Sequence, residues 1–210
     1  MEKVEVANME YLLTPKVRGR ITGMSHLVLL VNDMDESVRF YRDGLGFTVI
    51  RTIGGELLTD SAKRTGTTEA ATFNRFYFFE MGNGETIALL EMNQPVKPVP
   101  SLFAPNLWGD SSPIGPFAQK VDHLAFDVPS RADLDWYQEH LRSLGIDVSD
   151  IIDSGLPGRP FVKSIYMYDP TGNALEIATW DRTDPVWDTF SPESWLEDTS
   201  AVSSLLPKSD

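Results

Sequence analysis

The 210-residue sequence contains no cysteine and only three histidines. Without cysteine the chain can form neither a disulfide nor a thiolate metal site, and a cytoplasmic location is the default expectation. Basic residues are also scarce, because 18 Lys and Arg stand against 31 Asp and Glu and the net charge is −13. Such a charge repels phosphates, so we expect neither nucleic acid nor a membrane surface as a partner. No apolar run approaches the roughly 20 residues of a membrane-spanning helix.

What the sequence does contain is an internal repeat. Residues 26–31 form an apolar run that precedes a helix-like stretch ending in Leu45-Gly46-Phe47, and residues 123–128 precede another that ends in Leu144-Gly145-Ile146. Each copy then continues with strand-like segments joined by a glycine-containing turn, Gly82-Asn83-Gly84 in the first and Asp169-Pro170-Thr171-Gly172 in the second. Both turns are strong hairpin signals.

The repeat predicts an α+β fold of two β-α-β-β-β modules, which together form a curled eight-stranded mixed sheet around a cleft. In the first module the predicted strands are 21–31, 47–50, 76–79 and 86–92, with a helix over 34–43. In the second they are 121–128, 146–151, 161–168 and 173–179, with a helix over 131–143. The predicted divisions of the chain are an N-terminal arm (1–20), the first module (21–92), a Pro-rich linker or lid (93–120), the second module (121–180) and an acidic C-terminal tail (181–210).

Three polar residues interrupt the apolar strands, and strand alternation places each on the face opposite the bulky side chains. His26 and His123 open the first strand of their modules, and Glu176 lies between two alanines in the last strand. A carboxylate in such a strand is costly to bury without a partner, and a metal ion would be one. A lone strand histidine is more often an ordinary core residue, but two at equivalent repeat positions favour a site.

The three residues define a ligand set with one side left open. The position in the first module that matches Glu176, four residues after Gly84, is Ala88. Two histidines and one carboxylate with open positions are typical of non-haem Fe(II) oxygenases, although catalytic zinc uses the same ligand types.

The two repeated segments and the ending Asp169-Pro170-Thr171-Gly172-Asn173-Ala174-Leu175-Glu176 resemble the vicinal-oxygen-chelate superfamily. This group includes glyoxalase I, methylmalonyl-CoA epimerase, fosfomycin-resistance and bleomycin-binding proteins, and type I extradiol dioxygenases. The resemblance spans about residues 21–180, and it implies that His26, His123 and Glu176 are the metal ligands. One fold serves several chemistries in this group, so the reaction is less well defined than the fold.

Glyoxalase-like members carry a fourth ligand, commonly Glu, in the last strand of the first module. Ala88 takes that place here, and Glu91 would serve as a ligand or base only if the strand shifted or bulged, because it lies on the opposite face. The extradiol dioxygenases need three ligands and carry a substrate-contacting tyrosine shortly before the final Glu, a place that Tyr166 fills. They also use a further histidine for proton transfer, and here only Glu85 lies near that place.

The resemblance therefore implies, first, an Fe(II)-dependent extradiol-type dioxygenase that uses O₂ on a small catechol-like aromatic, with Tyr166 and Glu85 as catalytic residues. The second expectation is a glyoxalase-type lyase, epimerase or isomerase that uses Zn²⁺, Ni²⁺, Co²⁺ or Mn²⁺ with Glu91 or Glu85. The third is a metal-free module that binds a drug. In both enzymes the substrate is a small molecule with vicinal oxygens. Exposed sheet edges favour a homodimer.

Overall fold

A computed structural model describes residues 24–54, 73–96, 101, 107, 121–155, 162–181, 183 and 185. The expected N-terminal arm, the loop after residue 54, nearly all of the Pro-rich linker and almost all of the acidic tail lie outside the described residues. No helix in the described ranges is long and apolar enough to cross a membrane.

Ten elements follow one another in the described chain, and both modules have the same order. The first module contains β1 (Leu27–Val31), α1 (Met34–Val38) with a π-helical continuation (Arg39–Gly44), β2 (Thr48–Gly54), β3 (Phe73–Glu80) and β4 (Thr86–Met92). The second contains β5 (Leu124–Asp127), α2 (Arg131–Ser143), β6 (Ile152–Asp153), β7 (Lys163–Tyr168) and β8 (Ala174–Thr179).

The strands form two four-stranded mixed sheets with matching topology. Their orders are β1-β4-β3-β2 and β5-β8-β7-β6. In each sheet the first strand runs parallel to the last, and the remaining pairs are antiparallel. The predicted α+β class and the two β-α-β-β-β modules are therefore confirmed. The eight strands are divided between two sheets and do not form one continuous sheet.

The predicted strand 146–151 differs from the observed structure. It is reduced to β6 and an isolated bridge between Val148 and Met167. The Arg142 guanidinium donates hydrogen bonds to the carbonyls of Val148 and Ser149, and the Ser149 N–H donates to the Tyr166 carbonyl at 3.0 Å. The bonds from Arg142 occupy carbonyl groups that could otherwise accept hydrogen bonds from a neighbouring strand. Residues 146–151 therefore pair with β7 only at single positions.

The hairpin over Gly82-Asn83-Gly84 forms as predicted. The Met81 N–H donates to the Glu85 carbonyl at 3.1 Å and closes the turn. Gly82 and Gly84 have φ angles of 95° and 86°, a conformation that glycine adopts without a steric penalty. The carboxylate of Glu80, the last residue of β3, accepts hydrogen bonds from the N–H groups of both glycines at 2.7 Å and stabilises the turn.

The helical sides of the two modules share one apolar core. Its fully buried members include Tyr41, Phe79 and Leu89 from the first module and Leu141 and Met167 from the second. Alternation along β1 directs Val31 into this core, whereas Val28 and Leu30 on the opposite face are each 39% exposed. Among the described residues, the edge of the first sheet beside His26 therefore presents apolar side chains that are partly exposed in the single chain.

Candidate metal and substrate site

His123 and Glu176 lie together on the face of the second sheet that points away from the shared core. β5 runs parallel to β8 with Ala125 opposite Glu176, which places the residue before β5 beside the carboxylate. His123 Nε2 is 2.8 Å from Glu176 Oε2, and the Glu176 residue is 5% exposed. The structure thus brings together two of the three predicted ligands.

β7 adds two further polar side chains to this pair. Tyr166 is the cross-strand partner of Glu176, and Ser164 lies two residues earlier on the same face. The Ser164 hydroxyl donates to Glu176 Oε1, and the Tyr166 ring meets the His123 ring edge-on at 5.8 Å between centroids. Burial, and next the negative charge of Glu176, raise the pKa of Tyr166 to about 12, so this phenol is protonated at neutral pH.

The opposite side of the His123 ring contacts a carboxylate. His123 Nδ1 is 2.7 Å from Asp122 Oδ1, and the same oxygen accepts a hydrogen bond of 2.6 Å from the Ser101 hydroxyl. Neither residue was predicted from the sequence. Asp122 had a signal, because it adjoins His123 in the chain, whereas Ser101 lies in the Pro-rich segment and has no periodic pattern to mark it.

His26 is not part of this cluster. Its ring packs edge-on against Phe78 at 5.5 Å, and Nδ1 is 3.2 Å from the Ser25 hydroxyl. Within the described ranges, no three His, Asp or Glu side chains are close enough together to hold one metal ion. The structure therefore holds His26 on the first sheet and the His123–Glu176 pair on the second.

Glu91 lies on the core side of β4, where it has two partners. Its Oε1 accepts the N–H of Met34 at the start of α1 at 2.8 Å, and its Oε2 forms an ion pair with Arg75. Ala88 is fully buried and forms a cross-strand pair with Phe78, the residue that touches His26. Glu91 therefore faces away from the side of the first sheet that carries His26.

Glu85 lies in the first hairpin, where Asn83 donates to its carboxylate at 3.1 Å. It lines a cavity of about 510 Å³ between the modules, together with Met81, Phe126 and Tyr137. This cavity has mainly apolar walls and contains neither His123 nor Glu176. Glu85 therefore lines a different part of the described structure from the His123–Glu176 pair.

The donor set of the cluster fits a divalent metal ion. Two donors 2.8 Å apart can both reach one ion at the usual ligand distances of about 2.0–2.2 Å. A nitrogen donor and a carboxylate oxygen suit iron, manganese, cobalt, nickel and zinc alike. Two ligands are too few for a stable catalytic site, so a third protein donor is needed to complete it.

A sequence profile of the Glyoxalase/Bleomycin resistance protein/Dioxygenase superfamily matches residues 23–177. The match covers most of the chain, and the order of strands and helices agrees with it. The protein belongs to this superfamily, and the resemblance drawn from the two repeated segments is confirmed.

Solved structures with the same fold accompany this match. The chain is similar to a glyoxylase/bleomycin resistance protein/dioxygenase domain from Frankia sp. EAN1pec, with a TM-score of 0.52, 24% identity, and coverage of 76% of this chain and 98% of that one. It is also similar to the fosfomycin resistance protein FosX from Listeria monocytogenes, with a TM-score of 0.50, 18% identity, and coverage of 76% and 94%. At these identities the likeness shows the fold. No curated protein matches the sequence.

Proposed function

We propose that this protein is a metal-dependent enzyme that acts on a small substrate bound to the metal through two neighbouring oxygens. The observation that carries the proposal is the 2.8 Å approach of His123 Nε2 to Glu176 Oε2 on an otherwise small and apolar strand face. A carboxylate so deeply buried is stable when its charge is compensated, and a metal ion shared with His123 compensates it.

His26 of a second copy of the chain supplies the third ligand in this proposal. His26 is exposed, and the neighbouring apolar side chains of Val28 and Leu30 are each 39% exposed in the single chain. Apolar side chains grouped on one face mark a surface that a partner covers. In a twofold dimer, the first sheet of each protomer covers the second sheet of the other, and two equivalent sites result.

The chain's own residues then have separate roles. His26, His123 and Glu176 hold the metal, which supplies Lewis acidity and lowers the pKa of the substrate oxygens when it is bound. Ser164 donates to the Glu176 oxygen that does not approach His123 and so fixes the carboxylate plane. Tyr166 is protonated at neutral pH and donates a hydrogen bond to a substrate oxygen, which orients the substrate beside the metal.

As the specific reaction of this enzyme, we propose extradiol-type ring cleavage of a catechol-like aromatic with Fe(II). Both atoms of O₂ enter the product in this reaction, so no external reductant is required. Ala88 offers no fourth donor, so a metal held by three protein ligands would keep positions for substrate and O₂, and Tyr166 adjoins the ligand pair. The lyase or isomerase alternative needs a second carboxylate besides Glu176 as ligand or base. Its two candidates have other partners, Glu91 at the start of α1 and Glu85 in the hairpin.

Metal analysis of anaerobically purified protein tests the metal site. We expect one equivalent of divalent metal per chain in the wild type, and loss of that metal in the His26→Ala and Glu176→Ala variants. Iron, with O₂ consumption on catechols, supports the dioxygenase. Zinc, nickel, cobalt or manganese without O₂ consumption favours the lyase or isomerase. Failure of the wild type to bind any of these ions leaves a metal-free binding module.

Subunit complementation tests the shared site directly. When the His26→Ala and Glu176→Ala chains are co-expressed, one site of a hybrid dimer contains both substitutions and the other contains neither. Random pairing makes about half of the dimers hybrids, so about one quarter of the wild-type metal sites should return. If all three ligands came from one chain, mixing the two inactive variants would restore none. Each variant alone serves as the matched control.

A further inference from the structure

The His123 imidazole has a carboxylate partner at each nitrogen. Nε2 is 2.8 Å from Glu176 Oε2, and Nδ1 is 2.7 Å from Asp122 Oδ1. A metal-binding histidine whose other ring N–H donates to a carboxylate has a fixed tautomer, a fixed ring orientation and a more basic ligating nitrogen. Asp122 is therefore in the correct place to direct Nε2 towards the metal.

Asp122 is itself held in position by Ser101. The Ser101 hydroxyl donates to Asp122 Oδ1 at 2.6 Å, and the Ser101 N–H donates to the Tyr168 hydroxyl at 2.8 Å. Ser101 is fully buried, although it lies outside both modules in the sequence. The Asp122 side chain is 29% exposed, so without the bond from Ser101 its carboxylate would have more rotational freedom.

The position equivalent to Asp122 in the first module carries a hydroxyl in place of a carboxylate. The residue before His26 is Ser25, whose hydroxyl is 3.2 Å from His26 Nδ1. A neutral hydroxyl at that distance forms a weaker bond than a charged carboxylate at 2.7 Å. The two repeat-related histidines therefore differ in how firmly their rings are held.

We propose that Asp122, held by Ser101, is a positioning residue that orients His123 for metal binding. The proposal rests on the proposed metal function of His123 and Glu176. It also gives Ser101 a role, because the hydroxyl of this residue holds the Asp122 carboxylate that contacts His123.

The first measurement is the dissociation constant for Mn²⁺ and for Zn²⁺, obtained by competition with a chromophoric chelator. We expect Asp122→Ala to weaken binding of both ions roughly 10- to 100-fold, as loss of such partners does elsewhere. Asp122→Asn keeps an acceptor oxygen without the charge and should fall between Asp122→Ala and the wild type. Ser101→Ala should weaken binding less than Asp122→Ala, and Ser25→Ala should have the smallest effect of the series.

The second measurement detects the hydrogen bond itself. In Zn²⁺-bound wild type, the Nδ1–H proton of His123 should give a slowly exchanging NMR signal downfield of the amides. The signal should disappear in Asp122→Ala and exchange faster in Ser101→Ala. Only three histidines require assignment. Asp150→Asn and Ser143→Ala, which change an exposed carboxylate and an exposed hydroxyl away from the site, are the matched controls.

The outcomes separate this inference from the proposed function. If the wild type binds Mn²⁺ or Zn²⁺ and Asp122→Ala binds equally tightly with the Nδ1–H signal retained, the positioning role of Asp122 is wrong and the metal site stands. If the wild type binds neither ion, the proposed function fails and this inference fails with it. Thermal unfolding of each variant identifies a general loss of structure, and Asp122→Asn then provides the test that retains the shape of the side chain.

Discussion

The Tyr41 hydroxyl donates a hydrogen bond of 2.9 Å to Asp169 Oδ2, across 128 positions of the sequence. Tyr41 belongs to the helical segment of the first module, and Asp169 begins the last turn of the second. Asp169 also accepts bonds from the N–H groups of Thr171 and Asn173, so one buried carboxylate both shapes its turn and joins the two modules. The turn is directly followed by β8, which carries Glu176.

Tyr41→Phe should reduce the free energy of unfolding by roughly 1.5–3 kcal/mol near pH 7, since it removes a donor from a buried charged acceptor. Burial, and next the charge of Asp169, raise the pKa of Tyr41 well above its ordinary value of 10.0. Because the pKa of Tyr41 is higher in the folded state than in the unfolded state, its contribution to stability is complete below pH 10. That contribution is lost as the pH rises above 10 towards the folded-state pKa. The stability difference between wild type and variant should therefore narrow above pH 10, as measured by urea unfolding across the pH range. A constant difference would contradict the assignment to Tyr41.

Glu91→Gln should lower stability by about 1–2 kcal/mol, because the charge at the start of α1 and the ion pair with Arg75 are both lost. Metal content should not change, since the Glu91 carboxylate faces the shared core. Urea unfolding and metal analysis of the same preparation give both readouts. Glu85→Gln, an exposed change, is the control. Loss of metal in Glu91→Gln would instead identify Glu91 as a ligand.

Tyr166→Phe should leave metal affinity nearly unchanged and weaken the binding of a vicinal-oxygen chelator. A hydrogen bond to a charged oxygen contributes about 1.5–3 kcal/mol, which corresponds to roughly 10- to 100-fold in affinity. Visible titration of the metal-bound protein with a nitrocatechol measures this change. If the nitrocatechol binds the variant as tightly as the wild type, Tyr166 packs against His123 without contacting the substrate.

Leu30→Glu should convert the proposed dimer to monomers and reduce the metal content, because it places a charge among the exposed apolar side chains beside His26. Light scattering coupled to size exclusion, followed by metal analysis, measures both effects. Trp136→Glu is the control, because Trp136 is also a large exposed apolar side chain but lies on α2. A monomeric wild type with a complete metal complement would refute the shared site.

Local patterns in the sequence were sufficient to predict the two modules, the order of their elements and a common site for His123 and Glu176. Alternation along β8 selected the face of Glu176, and the repeat selected His123 at the start of its strand. These features depend on neighbours along one strand or on a short turn. The apolar character of both faces of β1 was also visible in the sequence, although the sequence did not show that Val28 and Leu30 are partly exposed in the single chain.

The contacts of the other polar side chains depend on the tertiary structure. The sequence offered Glu85 as a base, and Glu91 as a ligand or base only if its strand shifted. The folded chain shows the partners of each, the start of α1 for Glu91 and the hairpin for Glu85. The same holds for Ser101, which reaches Asp122 across 21 positions. The separation of His26 from His123 depends on how the two sheets pack around their shared core. Such long-range contacts arise from packing and hydrogen-bond geometry, and no local pattern in the sequence encodes them.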